Sequence, residues 1–107
     1  MSNTYVNAKV DLTTTNITTL YTCAALTTGI VKSIIVSEDS NNADTITLTI
    51  TDASSAVFSL YKTKAVSANG TVELLTAPLV VQAGEILKVT AATANRLHVV
   101  ASILEIT

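Results

Sequence analysis

The chain has 107 residues, six of them basic and eight acidic, for a formal net charge of −2. That length fits one domain able to bury roughly two-thirds of its unfolded surface, and one cysteine with one histidine supports neither an internal disulfide nor a zinc set. The basic residues Lys9, Lys32, Lys62, Lys64, Lys88 and Arg96 are scattered, which argues against the focused positive field that binds nucleic acid.

Val6, Ala8, Val10 and Leu12 alternate with polar residues and predict a first strand, which the Thr13-Thr14-Thr15 run ends. A second strand is expected at 17–23, and a small-residue turn at 24–29 feeds a third at 30–38. The cluster Ser37-Glu38-Asp39-Ser40-Asn41-Asn42-Ala43-Asp44 is dense in turn formers. From Asp44 to Asp52 threonine alternates with isoleucine and leucine without a break. In an extended strand that alternation points Ile46, Leu48 and Ile50 to a core and the threonines outward.

Asp52-Ala53-Ser54-Ser55 turns the chain into a strand at 56–63, with Phe58 and Leu60 expected inward. Asn69-Gly70 suits a tight turn with positive φ, as a hairpin or a sharp loop. Strands at 71–75 and 79–82 follow, and Pro78, which has no amide donor, belongs at the start or edge of the second. The last two strands are expected at 86–91 and 97–106. Eight or nine short strands about ten residues apart predict an all-β chain, a single antiparallel β-sandwich of jelly-roll or immunoglobulin-like form. Residues 1–4 are expected to fray. The predicted core contains Val10, Ile34, Ile46, Leu48, Ile50, Phe58, Leu74, Leu87 and Val99.

Apolar doublets recur, as in Ile34-Ile35-Val36, Leu79-Val80-Val81 and Val99-Val100. A sandwich strand has one buried face, so doublets imply face-switching bulges or a second cover supplied by another subunit. Charged residues make up only 13% of the chain, too few to keep many apolar outer faces in water, and a homo-oligomer is expected. No apolar run approaches the ~20 residues of a membrane-spanning helix. The first residues, Met1-Ser2-Asn3-Thr4-Tyr5, lack the basic and apolar regions of a signal peptide. Synthesis in a cytoplasm, with no membrane partner, is the expectation.

Reactive chemistry is sparse. Glu38, Asp39, Asn41, Asn42 and Asp44 could wrap a calcium ion, but the alternating acidic ligands and the glycine of an EF-hand loop are missing, and a solvated turn explains the same residues. Cys23 reads as a small buried apolar residue. His98 lies between Leu97 and Val99 with no Ser or Cys motif to make it a catalytic base. Tyr21 and Tyr61 would form a sugar-stacking platform only on adjacent strands; strand packing with the hydroxyl in water is the simpler reading. Paired carboxylates, a phosphate-cradling glycine loop and a nucleophile elbow are absent, so neither an enzyme nor a cofactor is expected.

Tyr21-Thr22-Cys23, then Gly29-Ile30-Val31-Lys32-Ser33-Ile34-Ile35-Val36, the Asn/Asp loop, the threonine strand, Leu79-Val80-Val81-Gln82-Ala83-Gly84-Glu85-Ile86-Leu87-Lys88-Val89 and Ser102-Ile103-Leu104-Glu105-Ile106 together resemble small β-sandwich virion proteins of tailed bacteriophages. The similarity covers residues 17–106. It implies a decoration or cement protein on the capsid exterior, commonly a trimer, bridging units of the major capsid protein. Loops 37–44 and 92–96 are the expected capsid contacts, through Glu38, Asp39, Asn41, Asn42, Asp44, Asn95 and Arg96. A tail, neck or fibre domain and a small carbohydrate-binding module are the alternatives.

Overall fold

Nine strands follow one another: β1 (Asn3–Leu12), β2 (Thr18–Thr22), β3 (Thr28–Glu38), β4 (Asp44–Thr51), β5 (Val57–Val66), β6 (Thr71–Glu73), β7 (Leu79–Val81), β8 (Ile86–Ala91) and β9 (Leu97–Ile106). They are seen in a computed structural model that describes residues 2–107, none of them helical. Every pairing is antiparallel. One sheet has the order β1-β9-β3-β6, with β7 also on β3, and the other the order β2-β8-β4-β5.

The two sheets pack as a sandwich. The chain changes sheet at each connection except β4 to β5 and β6 to β7, and its first strand lies beside its last. This is a jelly roll in which one strand is broken into β6 and β7. An immunoglobulin-like chain would place its first two strands side by side in one sheet, whereas β1 and β2 belong to different sheets.

The alternation of the sequence becomes two layers of side chains. Ile34, Ile46, Leu48, Leu74, Leu87 and Val99 are buried, as expected, together with Leu12, Val31, Val66, Val81, Leu97 and Ile103. Val10 and Ile50 are half-buried against that cluster. At the N-terminus, Asn3 and Thr4 pair with Ile106 and Glu105, and the Thr107 amide donates to the Ser2 carbonyl at 3.0 Å. Residues 2–4 are therefore tied down, and Met1 lies outside the described residues.

Phe58 and Leu60 depart from the expected core, being 53% and 37% exposed. Phe58 pairs with Ile50 and Ile50 with Leu87, so Phe58 points to the core side of its sheet. β5 is the last strand of that sheet, and little of the other sheet lies over it. Phe58 lies on the face that the alternation predicts, but its place in the sheet denies it cover, whereas a bulge leaves Leu60 unpaired and gives the core-side position to Tyr61. Two bulges also interrupt β5 opposite Ile46, Leu48 and Thr49. At the first of them Thr63 takes a φ of 51°, and its amide donates to the Thr47 hydroxyl at 3.1 Å.

The apolar doublets resolve by simple alternation, one residue inward and one outward. Tyr5 pairs with Leu104, Leu104 with Ile30 and Ile30 with Val80, an apolar rung on the outer face of the five-stranded sheet. Tyr5 is 74% exposed and Val80 51%. A second rung carries Lys9, Val100, Ile35 and Glu73.

The break between β6 and β7 is stitched by Glu73, whose carboxylate accepts the amides of Ile34 at 2.8 Å and Leu75 at 3.1 Å and the Ser33 hydroxyl. Pro78 stands just before β7, which pairs only with β3. A missing amide is harmless there.

The threonines of β4 are less wet than the alternation implies. Thr45, Thr47 and Thr49 are half-buried and Thr51 is buried. Among the described residues, the Thr51 hydroxyl is buried without a hydrogen-bond partner. An orphaned hydroxyl is destabilising, so Thr51→Val is expected to stabilise the protein by up to about 1 kcal/mol. Urea denaturation checks this, and a loss of stability would show that the hydroxyl is solvated.

Candidate functional site

The loops at 39–43, 67–70 and 92–96 meet at one end of the sandwich. Glu38, the last residue of β3, gathers two of them. Its buried carboxylate accepts the amides of Ser40 at 2.7 Å, Asn42 at 3.1 Å and Asn69 at 3.0 Å, and the Ser40 hydroxyl. Its own amide donates to the Gly70 carbonyl at 2.9 Å. Burial by itself would raise this carboxyl, but the Ser40 hydroxyl and the amides of Asn69, Ser40 and Asn42 outweigh it and hold the pKa at about 2.

Asp44, also buried, accepts the Thr93 amide at 3.1 Å and ties the third loop to the start of β4. Arg96 donates to the Ala43 carbonyl at 2.9 Å, and the Asn95 amide to the Leu12 carbonyl at 2.9 Å. The Asn69 side chain donates to the Asn41 side-chain oxygen at 2.9 Å. Asn41, Asn69 and Asn95 have φ values of 62°, 55° and 65°. Asparagine tolerates this left-handed region better than other residues with a Cβ.

The predicted site residues are therefore brought together, in two roles. Glu38 and Asp44 are internal braces, while Asp39, Asn41, Asn42 and Asn95 are exposed and Arg96 is half-buried. The calcium alternative finds no support in this geometry, because the Glu38 oxygens already accept four donors. No group of three or more His, Cys, Asp or Glu side chains among the described residues is placed to hold a metal.

Asn69 was expected in a turn but not in this cluster. The turn is closed by the Gly70 amide on the Ser67 carbonyl at 2.9 Å. It joins strands of different sheets, so it is a sharp loop and not a hairpin. Only Asn69 of the pair has positive φ. A Cβ on Gly70 would lie 3.0 Å from the Ser67 oxygen, which explains glycine there.

His98 is not without partners. Its Nε2 lies 3.2 Å from Asp11 Oδ1 and its Nδ1 3.7 Å from Asp39 Oδ2. Both ring nitrogens face carboxylates, so neither addresses a hydroxyl or thiol nucleophile. A shallow depression of about 210 Å³ lies beside it, lined by Lys9, Val10, Asp11, His98, Val99 and Val100. A second, of about 390 Å³, is lined by Ala43, Asp44, Thr45, Ala65, Val66 and Ser67. Neither contains a nucleophile paired with a base.

The tyrosines do not assemble. Tyr21 on β2 and Tyr61 on β5 stand at opposite edges of the four-stranded sheet. Tyr21 is buried, and its hydroxyl, expected in water, donates to Glu105 Oε2 at 2.6 Å. Burial, reinforced by that hydrogen bond and the negative charge of Glu105, pushes its pKa well above the usual tyrosine value. The ring lies over Gly29, where a Cβ would come within 2.9 Å of the hydroxyl oxygen. Cys23 is buried, with Sγ 3.2 Å from the Thr27 carbonyl.

These features define a jelly-roll domain with a braced loop end and exposed apolar strips. No protein-family model and no curated protein matches the chain. Among solved structures it is similar to the CBM22-1-GH10 modules of the N-terminal endo-1,4-β-D-xylanase 10B of Clostridium thermocellum, solved with xylohexaose. The identity is 11% and the TM-score 0.41, over 96% of this chain and 24% of that one. A likeness that loose carries no functional argument, and this chain spans about a quarter of the other's length.

Proposed function

We propose that this chain is a non-enzymatic structural protein of a tailed-phage particle. In this reading it is a capsid decoration or cement protein that sits on the capsid exterior as a homo-oligomer and bridges units of the major capsid protein. The observation that carries the reading is the rung of Tyr5, Leu104, Ile30 and Val80 across the outer face of a sheet, an apolar strip in a chain with few charges to offset it. Such strips mark surfaces that another protein covers.

The resemblance of residues 17–106 to phage virion proteins supplies the particle, and three copies are what it implies. The braced loop end, with Asp39, Asn41, Asn42, Asn95 and Arg96 held by the contacts of Glu38 and Asp44, supplies a preorganised polar contact, which lowers the entropy lost on docking. Many copies, each weakly bound, stabilise a shell through multivalency. The sugar-binding alternative loses the aromatic platform it required, since Tyr21 is buried and Tyr61 lies at the far edge of its sheet.

Phage heads lacking the protein provide the test. Purified protein is expected to sediment with such heads and to raise their resistance to heat. Binding to tails alone would move it to the tail, and a monomer that ignores heads but binds a glycan array would overturn the proposal.

A further inference from the structure

Of the chain's asparagines, only Asn69 precedes a glycine. That pair is chemically labile. The backbone nitrogen that follows an asparagine can attack the side-chain amide carbon, and a glycine, having no Cβ, leaves the approach open. Here the Gly70 nitrogen would bond to Asn69 Cγ, the Cγ–Nδ2 bond would break, and the Gly70 amide proton would leave with the side-chain NH₂ as ammonia. Water then opens the cyclic imide at either carbonyl, giving aspartate or isoaspartate. No oxidant or reductant takes part.

The fold holds the reacting groups away from this step. The Gly70 amide donates to the Ser67 carbonyl at 2.9 Å, and the Gly70 carbonyl accepts the Glu38 amide at 2.9 Å. The Asn69 amide donates to Glu38 Oε1 at 3.0 Å, and Asn69 Nδ2 donates to Asn41 Oδ1 at 2.9 Å. Glu38 therefore grips the pair from both sides, with its carboxylate and with its own amide. Ring closure needs the attacking nitrogen in line with Cγ at about 3–3.5 Å. Reaching that geometry means rotating the Asn69–Gly70 peptide and losing the Ser67 and Glu38 contacts. Asn69 is exposed, so hydrogen bonds and not burial restrain it.

We propose that Asn69 is a deamidation site kept latent by the Glu38 brace, and that its reaction irreversibly loosens this end of the sandwich. Either product replaces the NH₂ that Asn41 accepts with an oxygen, and it sets a second negative charge near the Glu38 carboxylate, where like charges disfavour each other. Isoaspartate also lengthens the main chain by one carbon between the Asn69 amide and the Gly70 carbonyl, the two groups bonded to Glu38. Both bonds cannot then keep their geometry, and a buried carboxylate that loses donors is destabilising. The inference is independent of the phage reading.

Peptide mapping by mass spectrometry during incubation at mildly alkaline pH follows the reaction. In guanidinium chloride Asn69 is expected to convert before any other asparagine. In the folded protein it is expected to convert at least about tenfold more slowly, because only the locally opened fraction reacts. Glu38→Gln, shown by circular dichroism to be folded, is expected to speed conversion about fivefold or more, since weaker bonds hold the pair. Ser40→Ala, which takes one donor from the Glu38 carboxylate, is the milder variant should Glu38→Gln not fold, and it too is expected to react faster than the unaltered protein. The isolated isoaspartyl form is expected to melt lower. Equal rates in folded and unfolded chains, or a folded brace variant no faster than the unaltered protein, would overturn the latch. An isoaspartyl form with an unchanged melting temperature would overturn the loosening.

Discussion

Replacing Leu48 by aspartate is expected to unfold the protein. Leu48 is fully buried in the middle of β4, with β8 on one side and β5 on the other, and its Cα partners are Val89 and Tyr61. A carboxylate there would lose its water and meet no cationic side chain in a cluster dominated by leucine, isoleucine and valine. Such a burial costs several kcal/mol, against a total stability of about 5–15 kcal/mol for a domain of this kind. Thr47 lies next to it on the opposite face, half-buried, with its hydroxyl accepting the Thr63 amide. An aspartate at 47 keeps an acceptor for that amide, so Thr47→Asp is expected to change stability by less than about 1 kcal/mol. Far-ultraviolet circular dichroism and urea denaturation of both variants check the contrast. Equal damage would mean that both faces of β4 are sealed from water.

Acid is expected to loosen the loop end through Glu38, and Glu38→Gln to remove that part of the acid response. The carboxyl is held at about 2 in the folded protein, against an ordinary value of 4.5. A group whose pKa falls on folding favours the folded state wherever it is ionised there, so its contribution is complete above about 4.5 and disappears as the pH falls through about 2. Glu73 acts in the same direction. Burial would raise its carboxyl, but the Ser33 hydroxyl and the amides of Ile34, Leu75 and Leu74 lower it below the ordinary value.

Thermal melts between pH 7 and pH 2 are expected to show a steep fall below about 4.5 in the unaltered protein. Glu38→Gln should melt lower at neutral pH, because an amide group presents NH₂ to some of the donors that the carboxylate satisfied, and should lose less on acidification. Identical slopes for the two proteins would remove Glu38 as the brace of this end.

The residues of β4 show how much of the fold is written locally. An unbroken alternation from Asp44 to Thr51 specifies a strand and its faces, because successive side chains point to opposite sides whatever the rest of the chain does. The same logic locates the other strands, and Gly, Pro and Asn place the turns. The loop residues Glu38, Asp39, Asn41, Asn42, Asp44, Asn95 and Arg96 stand out by composition, and the structure gathers them at one end.

By itself, then, the sequence determined the all-β class, the strands, most of the core and the absence of familiar catalytic motifs. The tertiary structure alone decided the sheet order, and much depends on it. Phe58 is exposed because β5 is an edge strand and Leu60 because a bulge displaces it from the pairing, neither of which a local pattern reveals. His98 meets Asp11 because the first strand pairs with the last, and Tyr21 meets Glu105 across a sequence separation of 84 residues. Asn69 joins Glu38 because the jelly-roll path returns β6 to the side of β3. Side-chain alternation is a property of one strand, whereas edges, cover and distant partners are properties of how strands are ordered.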